Sequence, residues 1–208
     1  MIDPDRCVGC GLCVAACPTT VVFHPDPRMP TAIDLRRRPL RALRDEAWRA
    51  ARHFPEGALR IVVFGCQQGV DLRGLEPVMP PAVATPAVAT AGITLPCIGM
   101  LPPSLIDYVL SRNLADGVML TGCPAGSCRN RCGTRWTEER LDGRRDPVLR
   151  ARVPRDRLAW CWVDANDRPR LEQELAQFAQ RLEELPPRFR ETPPPRSHEA
   201  HRLPGAAS

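Results

Sequence analysis

The chain has 208 residues and a mild positive charge of +5 at neutral pH, and all 29 of its basic residues are arginine. Its 24 prolines and 14 glycines fall short of the content that marks a wholly disordered chain. A collagen, a coiled coil and a fully disordered protein are therefore excluded. The length suits one ordinary domain with an appendage, or two small domains.

The sequence predicts a cytoplasmic protein. Its first residues, MIDPDRC, have no basic start followed by an apolar core. The longest uncharged stretch, 77–106, contains seven prolines, which a continuous membrane helix would not tolerate. Peripheral docking on a membrane complex remains open. In a reducing compartment, the ten cysteines favour metal binding or redox chemistry over disulfides.

The first 30 residues carry four cysteines in the run C-x2-C-x2-C-x3-C-P, at Cys7, Cys10, Cys13 and Cys17. This is the spacing of the bacterial ferredoxin run, which binds a [4Fe–4S] cluster. Gly9 and Gly11 allow the loop to bend closely around such a cluster. Structural zinc usually joins two ligand knuckles across a longer gap, so zinc is disfavoured. Residues 1–30 are therefore predicted to be a ferredoxin-like [4Fe–4S] module with these four ligands.

The fourth cysteine leaves two arrangements open. In two-cluster ferredoxins the fourth cysteine of a run serves the other cluster, and this chain has one such run. Either Cys17 completes its own cluster, which we favour, or two half-ferredoxins pair to rebuild a two-cluster unit. The second half would come from another copy of the chain or from a partner.

A linker helix and an α/β domain are predicted after the module. Within the linker, 31–57, apolar residues at spacings of three and four predict a helix over 39–54 with arginines on its solvated face. Apolar, β-branched runs predict strands at 59–64, 92–95, 117–121 and 158–163. The segment SLIDYVLSRNL predicts a helix capped by Ser104, which makes a parallel βαβ unit with its neighbouring strands.

The domain is expected to span 58–185 and to be a small parallel sheet with flanking helices. An apolar stripe over 171–185 predicts its closing helix. The tandem repeat PAVATPAVAT at 81–90 is interpreted as a surface linker. Residues 186–208 are rich in proline and polar side chains and are predicted to be a disordered tail, which gives His198 and His201 no scaffold for a metal.

Three further cysteines each follow a predicted strand: Cys66 after VVFG, Cys97 after ITLP and Cys123 after VMLTG. If these strands are parallel, the three thiols meet at the carboxyl edge of the sheet, where open α/β sheets bind ligands. Cys128 lies across the turn PAGS and can reach the same place. Four thiolates suit a second iron–sulfur cluster.

The other interpretation of these residues is that they are ordinary buried cysteines, since cysteine is among the most buried residue types. Three cysteines at strand ends, each beside Gly or Pro, favour a site instead. Cys132 is a reserve ligand close by. Cys161 lies between two tryptophans inside a predicted strand and is interpreted as a core residue.

The segments IVVFGC, LPCIGML, DYVLSRNLADGVMLTGCPAGSCRNR and GTRWTEERL resemble the delta-subunit family of methyl-viologen-reducing hydrogenases. These iron–sulfur subunits occur with complexes of the heterodisulfide reductase type. The resemblance covers about residues 59–163. It implies a [2Fe–2S] cluster that passes electrons between a partner enzyme and a flavin subunit, with the ligands Cys66, Cys97, Cys123 and Cys128. The family's C-x-x-C after the first strand reads CQQG here, so Gly69 stands where a cysteine is usual and Cys132 is its candidate substitute.

The segment 129–157 contains ten arginines and five acidic residues. It predicts either a solvated surface of ion pairs or a docking surface for an acidic partner. Nucleic acid is not an expected partner, because Trp136 is the segment's one aromatic residue.

The sequence predicts an electron-transfer subunit of an oxidoreductase complex rather than a catalyst on its own. It has no Walker loop, GxGxxG motif or Ser–His arrangement. The expected partners are other redox subunits, either flavin or iron–sulfur proteins. Two alternatives remain: an iron–sulfur sensor or regulator, and a thiol redox protein whose Cys123 and Cys128 would include a thiol of low pKa.

Overall fold

The computed structural model describes residues 6–17, 33–75 and 87–186. In chain order, the helices and strands of these ranges are α1 Leu12–Ala16, α2 Leu40–His53, β1 Leu59–Cys66, β2 Val88–Leu95, α3 Pro103–Ser111, β3 Gly117–Gly122, α4 Gly133–Leu141, β4 Leu158–Trp162 and α5 Arg168–Glu183. Short 3-10 turns lie at Ile98–Met100, Ala125–Ser127 and Arg155–Arg157.

The four strands form one parallel sheet in the order β2-β1-β3-β4, which confirms the predicted fold class. β2 and β3, joined through α3, flank β1 rather than lying beside each other. The strand order therefore reverses between β1 and β3, and such a switch point is where α/β sheets bind ligands. Every residue of β1 is buried, as expected for an internal parallel strand covered on both faces.

Helices cover both faces of the sheet. On one face, α2 and α3 pack in a large apolar cluster with β-strand residues such as Phe64 and Leu120. On the other face, α5 packs through Leu171, Leu175 and Phe178. The helix α2 is thus a layer of the core and more than a linker, although its predicted arginine face is confirmed as largely exposed. Within the described ranges, no helix is long and apolar enough to cross a membrane.

Three local expectations are corrected by the structure. β2 begins at Val88, inside the repeat that was interpreted as a linker. α3 begins at Pro103 after Pro102, and Ser104 makes no capping hydrogen bond, so the predicted cap is wrong. Pro103 is the first helical residue, where proline is favoured because its φ is already helical and its missing N–H would have no partner in the helix. The helix α4 was not predicted. Residues 81–86 of the repeat and the histidines of the tail lie outside the described residues.

The arginine-rich segment is largely paired within the chain. Arg150 and Arg152 both contact the buried carboxylate of Asp107, at 3.4 and 2.6 Å. Arg145 binds Glu139 at 2.5 Å, and it also lies 4.5 Å from the ring centre of Trp136. These contacts agree with the interpretation as a surface of ion pairs.

A buried ion pair closes the amino edge of the sheet. The guanidinium of Arg60 donates to both carboxylate oxygens of Asp116, at 2.8 and 3.0 Å, and the Arg60 amide donates to the same carboxylate at 2.8 Å. Arg157 donates to the backbone carbonyls of Asp116 and Ala115 at 2.7 and 2.8 Å. These bonds tie the starts of β1, β3 and β4 together.

We expect Asp116→Asn to destabilise the protein by about 3 kcal/mol, because it leaves the Arg60 guanidinium buried without its counter-charge. Urea unfolding at neutral pH measures this loss. The matched control is Asp71→Asn, whose ion pair with Arg73 is exposed to solvent, and it should leave the unfolding midpoint unchanged. Equal midpoints for the Asp116 variant and the wild type would contradict a stabilising role for the pair.

Candidate functional site

The ends of three strands bring their cysteines together at the carboxyl edge of the sheet. Cys66 ends β1, Cys97 follows β2 by two residues and Cys123 follows β3 directly. The Cys66 thiol is hydrogen-bonded to Cys97, and Cys123 interacts electrostatically with Cys66. All three side chains are buried, at 4%, 1% and 8% exposure respectively.

Cys128 joins this group across the 3-10 turn Ala125–Ser127. Its sulfur interacts electrostatically with Cys97 and Cys123. Both Cys97 and Cys128 lie against Gly133, the first residue of α4. A Cβ at Gly133 would overlap the Cys97 sulfur and lie 3.4 Å from the Cys128 sulfur. Only glycine leaves room for both sulfurs at the start of this helix.

Hydrogen bonds and burial shift the pKa values of the buried thiols. The hydrogen bond with Cys97, together with burial, raises the pKa of Cys66 far above its ordinary value. The hydrogen bond from Cys66 lowers the pKa of Cys97, and the Gly99 amide and the Asn130 side chain lower it further. Burial raises the pKa of Cys123. The hydrogen bond between Cys66 and Cys97 therefore shifts the pKa values of the two thiols in opposite directions.

Backbone groups of the neighbouring loops also contact the sulfurs. The Gln68 amide donates to the Cys66 sulfur at 3.4 Å. The thiols of Cys66 and Cys123 lie 3.7 and 3.9 Å from the carbonyls of Pro96 and Gln68. The loops after β1 and β2 thus wrap around the group formed by Cys66, Cys97, Cys123 and Cys128, which we call the edge cysteines.

The domain has two further cysteines, Cys132 and Cys161. Cys132 precedes α4, where its half-buried sulfur lies 3.8 Å from the Arg135 guanidinium. Cys161 is buried on the opposite face of the sheet, in the apolar cluster of α5, as its interpretation as a core residue predicts. At Gly69, a Cβ would lie 3.3 Å from the Cys66 carbonyl and 3.5 Å from the Gly122 Cα, so this residue packs closely against the backbone beside Cys123.

The N-terminal run of cysteines forms a compact loop that leads into α1. Gly9 and Gly11 have φ angles of 66° and 76°, which side chains other than glycine rarely adopt. Cys7 is exposed, whereas Cys10, Cys13 and Cys17 are half-buried. Cys13 lies within the short helix, and Cys17 ends it.

This loop packs directly against the turn that follows Cys97. A Cβ at Gly11 would lie only 2.6 Å from the Met100 side chain, and the Leu12 side chain covers Gly99. A cavity of about 490 Å³ lies between the loop and the sheet edge. Its lining includes Cys10 from the loop and Gln67, Gln68, Arg129 and Asn130 from the edge. The two groups of cysteines are therefore parts of one continuous structure.

Among the described residues, no three His, Cys, Asp or Glu side chains are gathered closely enough to hold a single metal ion. The edge cysteines were predicted from the sequence, but two glycines were not: Gly133, which lies against two of the sulfurs, and Gly99, which contacts Leu12 of the N-terminal module. Arg140, a fully buried arginine on α4, was not predicted either. A glycine at a helix start and an arginine in a charged segment carry no signal that separates them from surface residues.

Comparison with known proteins identifies two families in the chain. Residues 1–22 match the 4Fe-4S binding domain, which supports a [4Fe–4S] cluster in the N-terminal module. Residues 83–186, half of the chain, match the family described as methyl-viologen-reducing hydrogenase, delta subunit. This second match includes Cys97, Cys123 and Cys128 and begins after Cys66.

A curated relative is a subunit of the ferredoxin:CoB-CoM heterodisulfide reductase of Methanosarcina mazei, which is 24% identical over 208 aligned positions. The alignment covers 89% of this chain and 25% of the relative, so the chain spans about a quarter of that protein's length. The iron–sulfur and hydrogenase-associated families agree with a role in electron transport. The chain belongs to the methyl-viologen-reducing hydrogenase delta-subunit family.

Proposed function

We propose that this protein is an iron–sulfur electron-transfer subunit that relays single electrons between partner redox subunits of a hydrogenase-like or heterodisulfide-reductase-like complex. The observation that carries the proposal is the direct packing of the N-terminal cysteine loop on the turn after Cys97, through Gly11 on Met100 and Leu12 on Gly99. Two groups of four cysteines thereby lie on either side of one contact. When bound, an iron–sulfur cluster at each group supplies a one-electron redox centre.

The N-terminal loop suits a [4Fe–4S] cluster held by Cys7, Cys10, Cys13 and Cys17. Its donor set is four thiols at ferredoxin spacing. The positive φ angles of Gly9 and Gly11 curl the backbone without a side chain on the inner surface. Cys7 is exposed and the neighbouring Val8 has 82% of its surface accessible, so this end of the module is open to a partner.

The edge cysteines suit a [2Fe–2S] cluster, which we propose as the second centre. Its donor set is four thiols at one edge of the sheet, and thiolates are the usual ligands of such a cluster. Gly133 leaves the space between two of the sulfurs free of a side chain. The amides of Gln68 and Gly99 donate to the sulfurs, and such bonds adjust the redox potential of a cluster.

The partners are proposed to be flavin or iron–sulfur proteins of a larger assembly, in the cytoplasm. The Methanosarcina relative is itself named as part of a ferredoxin:CoB-CoM heterodisulfide reductase. The exposed side chains of Arg129 and Arg131, close to the cavity between the two groups, give this region a positive charge that would attract an acidic partner.

The thiol redox alternative has less support. A reactive thiol needs a low pKa and access to solvent. Burial instead raises the pKa of Cys123, one of the two thiols of this alternative, and leaves the residue only 8% exposed. Cys123 therefore has neither property.

We expect the anaerobically purified full chain to contain about six irons, four in the N-terminal module and two at the edge cysteines. Cys97→Ser should lower the content to about four irons, because it removes a ligand of the second centre alone. Cys10→Ser should lower it to about two, because it removes a ligand of the first. Iron and acid-labile sulfide assays measure both changes.

The matched control for these assays is Cys161→Ala, which removes a buried cysteine on the opposite face of the sheet. Its iron content should equal that of the wild type. A wild type with about four irons, unaffected by Cys97→Ser, would show that the edge cysteines hold no cluster.

Gly133→Ala should selectively remove the second centre, because its Cβ would occupy space next to the sulfurs of Cys97 and Cys128. Alanine favours a helix over glycine by about 1 kcal/mol, so α4 itself is not weakened. Gly126→Ala is the control, because a Cβ there meets no atom within 4 Å. The readout is iron content together with the visible absorption spectrum. If both variants kept the wild-type spectrum, the space beside Gly133 would not be part of the centre.

A further inference from the structure

Arg140 is a buried arginine that forms no ion pair in the part of the chain that the structure describes. Its residue is 1% exposed, and its Nη1 donates to the Gly99 carbonyl at 3.2 Å. Its Nε and Nη2 atoms are buried and have no hydrogen-bond partner among the described residues. The adjacent carboxylate, Glu139, is bound by Arg145 at 2.5 Å and lies 3.7 Å from Arg135.

Such a group is costly to bury. A charge in a protein interior destabilises the fold unless an opposite charge or a full set of hydrogen bonds compensates it. Burial and the nearby charge of Arg145 lower the pKa of Arg140 to about 10, so the guanidinium is still charged at neutral pH. Two donors on a buried cation therefore lack an acceptor among the described residues, and a negative group is the acceptor that would also compensate the charge.

Arg140 lies next to residues that contact the edge cysteines. The guanidinium is bonded to Gly99, two residues after Cys97, and the Gly99 amide donates to the Cys97 sulfur. Arg140 also lies two turns after Gly133 on α4, and long helical side chains reach back towards the helix N-terminus. Gly133 itself contacts the sulfurs of Cys97 and Cys128. The positive end of the helix dipole thus lies at the same sulfurs.

We propose that α4 is the electrostatic support of the second iron–sulfur centre, with the Arg140 guanidinium compensating the net negative charge of a centre held by four thiolates. This inference rests on the proposed function. Reduction adds one electron from a partner redox subunit and makes the centre more negative. A fixed positive charge stabilises the reduced form more than the oxidised form, so Arg140 raises the reduction potential. The hydrogen bond to the Gly99 carbonyl holds the guanidinium in place, and Arg140 acts on the centre through its charge.

The test compares Arg140→Met, which keeps the length of the side chain but removes its charge, with Arg140→Lys, which keeps the charge. Redox titration of the full, iron-loaded chain, followed by electron paramagnetic resonance, reports the midpoint potential of each centre. Arg140→Met should shift the second centre to a more negative potential and leave the first unchanged. Arg140→Lys should stay near the wild-type potential. Loss of the second centre in Arg140→Met, with its retention in Arg140→Lys, would support the same conclusion.

A second measurement separates electrostatic support from a general packing role. In the metal-free chain, Arg140→Met should unfold at the same temperature as the wild type or higher, because it removes an unpaired buried charge. In the loaded chain, a chelator should remove iron from Arg140→Met several-fold faster than from the wild type. A role in packing alone would lower the unfolding temperature of the metal-free chain.

The outcomes separate this inference from the function on which it rests. A wild type without iron at the edge cysteines would overturn both. A fully loaded wild type, with Arg140→Met at the same potential and the same rate of iron loss, would overturn the role of Arg140 alone. Equal defects in Arg140→Met and Arg140→Lys would also overturn it, because the positive charge would then not be the property that matters.

Discussion

The close approach of Gly99 and Gly133 is the contact on which the arrangement of the cysteines depends. A Cβ at Gly99 would lie 2.8 Å from the Gly133 Cα, so a larger residue at position 99 would force the two backbones apart. Gly133 sets the start of α4 against the sulfurs of Cys97 and Cys128, and Gly99 receives the Leu12 side chain of the N-terminal module. One contact between two glycines therefore positions both groups of cysteines relative to each other.

The buried polar groups at the two edges of the sheet differ in how completely they are paired. At the amino edge, Arg60 and Asp116 form a buried pair with several hydrogen bonds, which stabilises the strands without any need for a ligand. At the carboxyl edge, the Nε and Nη2 atoms of the buried Arg140 have no hydrogen-bond partner among the residues that the structure describes. Buried polar groups without partners are uncommon in folded proteins. This asymmetry agrees with a ligand at the carboxyl edge, next to the switch point between β1 and β3.

Much of this arrangement could be predicted from the sequence, because apolar strands that end in cysteine imply thiols at one sheet edge. The strand order could not be predicted, because the strand–helix–strand pattern indicates that strands are parallel but not which strands are neighbours in the sheet. The helix α4 was missed for a physical reason: its buried residues include Thr134, Thr137 and Arg140, so it has no apolar stripe. The predicted start of α3 at a Ser104 cap was wrong because the helix begins at Pro103, one residue earlier, after Pro102.

The most direct test of a relay within one chain is the electron paramagnetic resonance spectrum of the fully reduced protein, because two nearby paramagnetic centres interact magnetically. If the two centres lie on either side of the Gly99 contact, we expect broadened or split signals for the [4Fe–4S] and [2Fe–2S] clusters in this spectrum. Cys97→Ser should convert these to the simple signal of an isolated [4Fe–4S] cluster. A wild-type spectrum with only that simple signal, unchanged by Cys97→Ser, would contradict a two-centre relay.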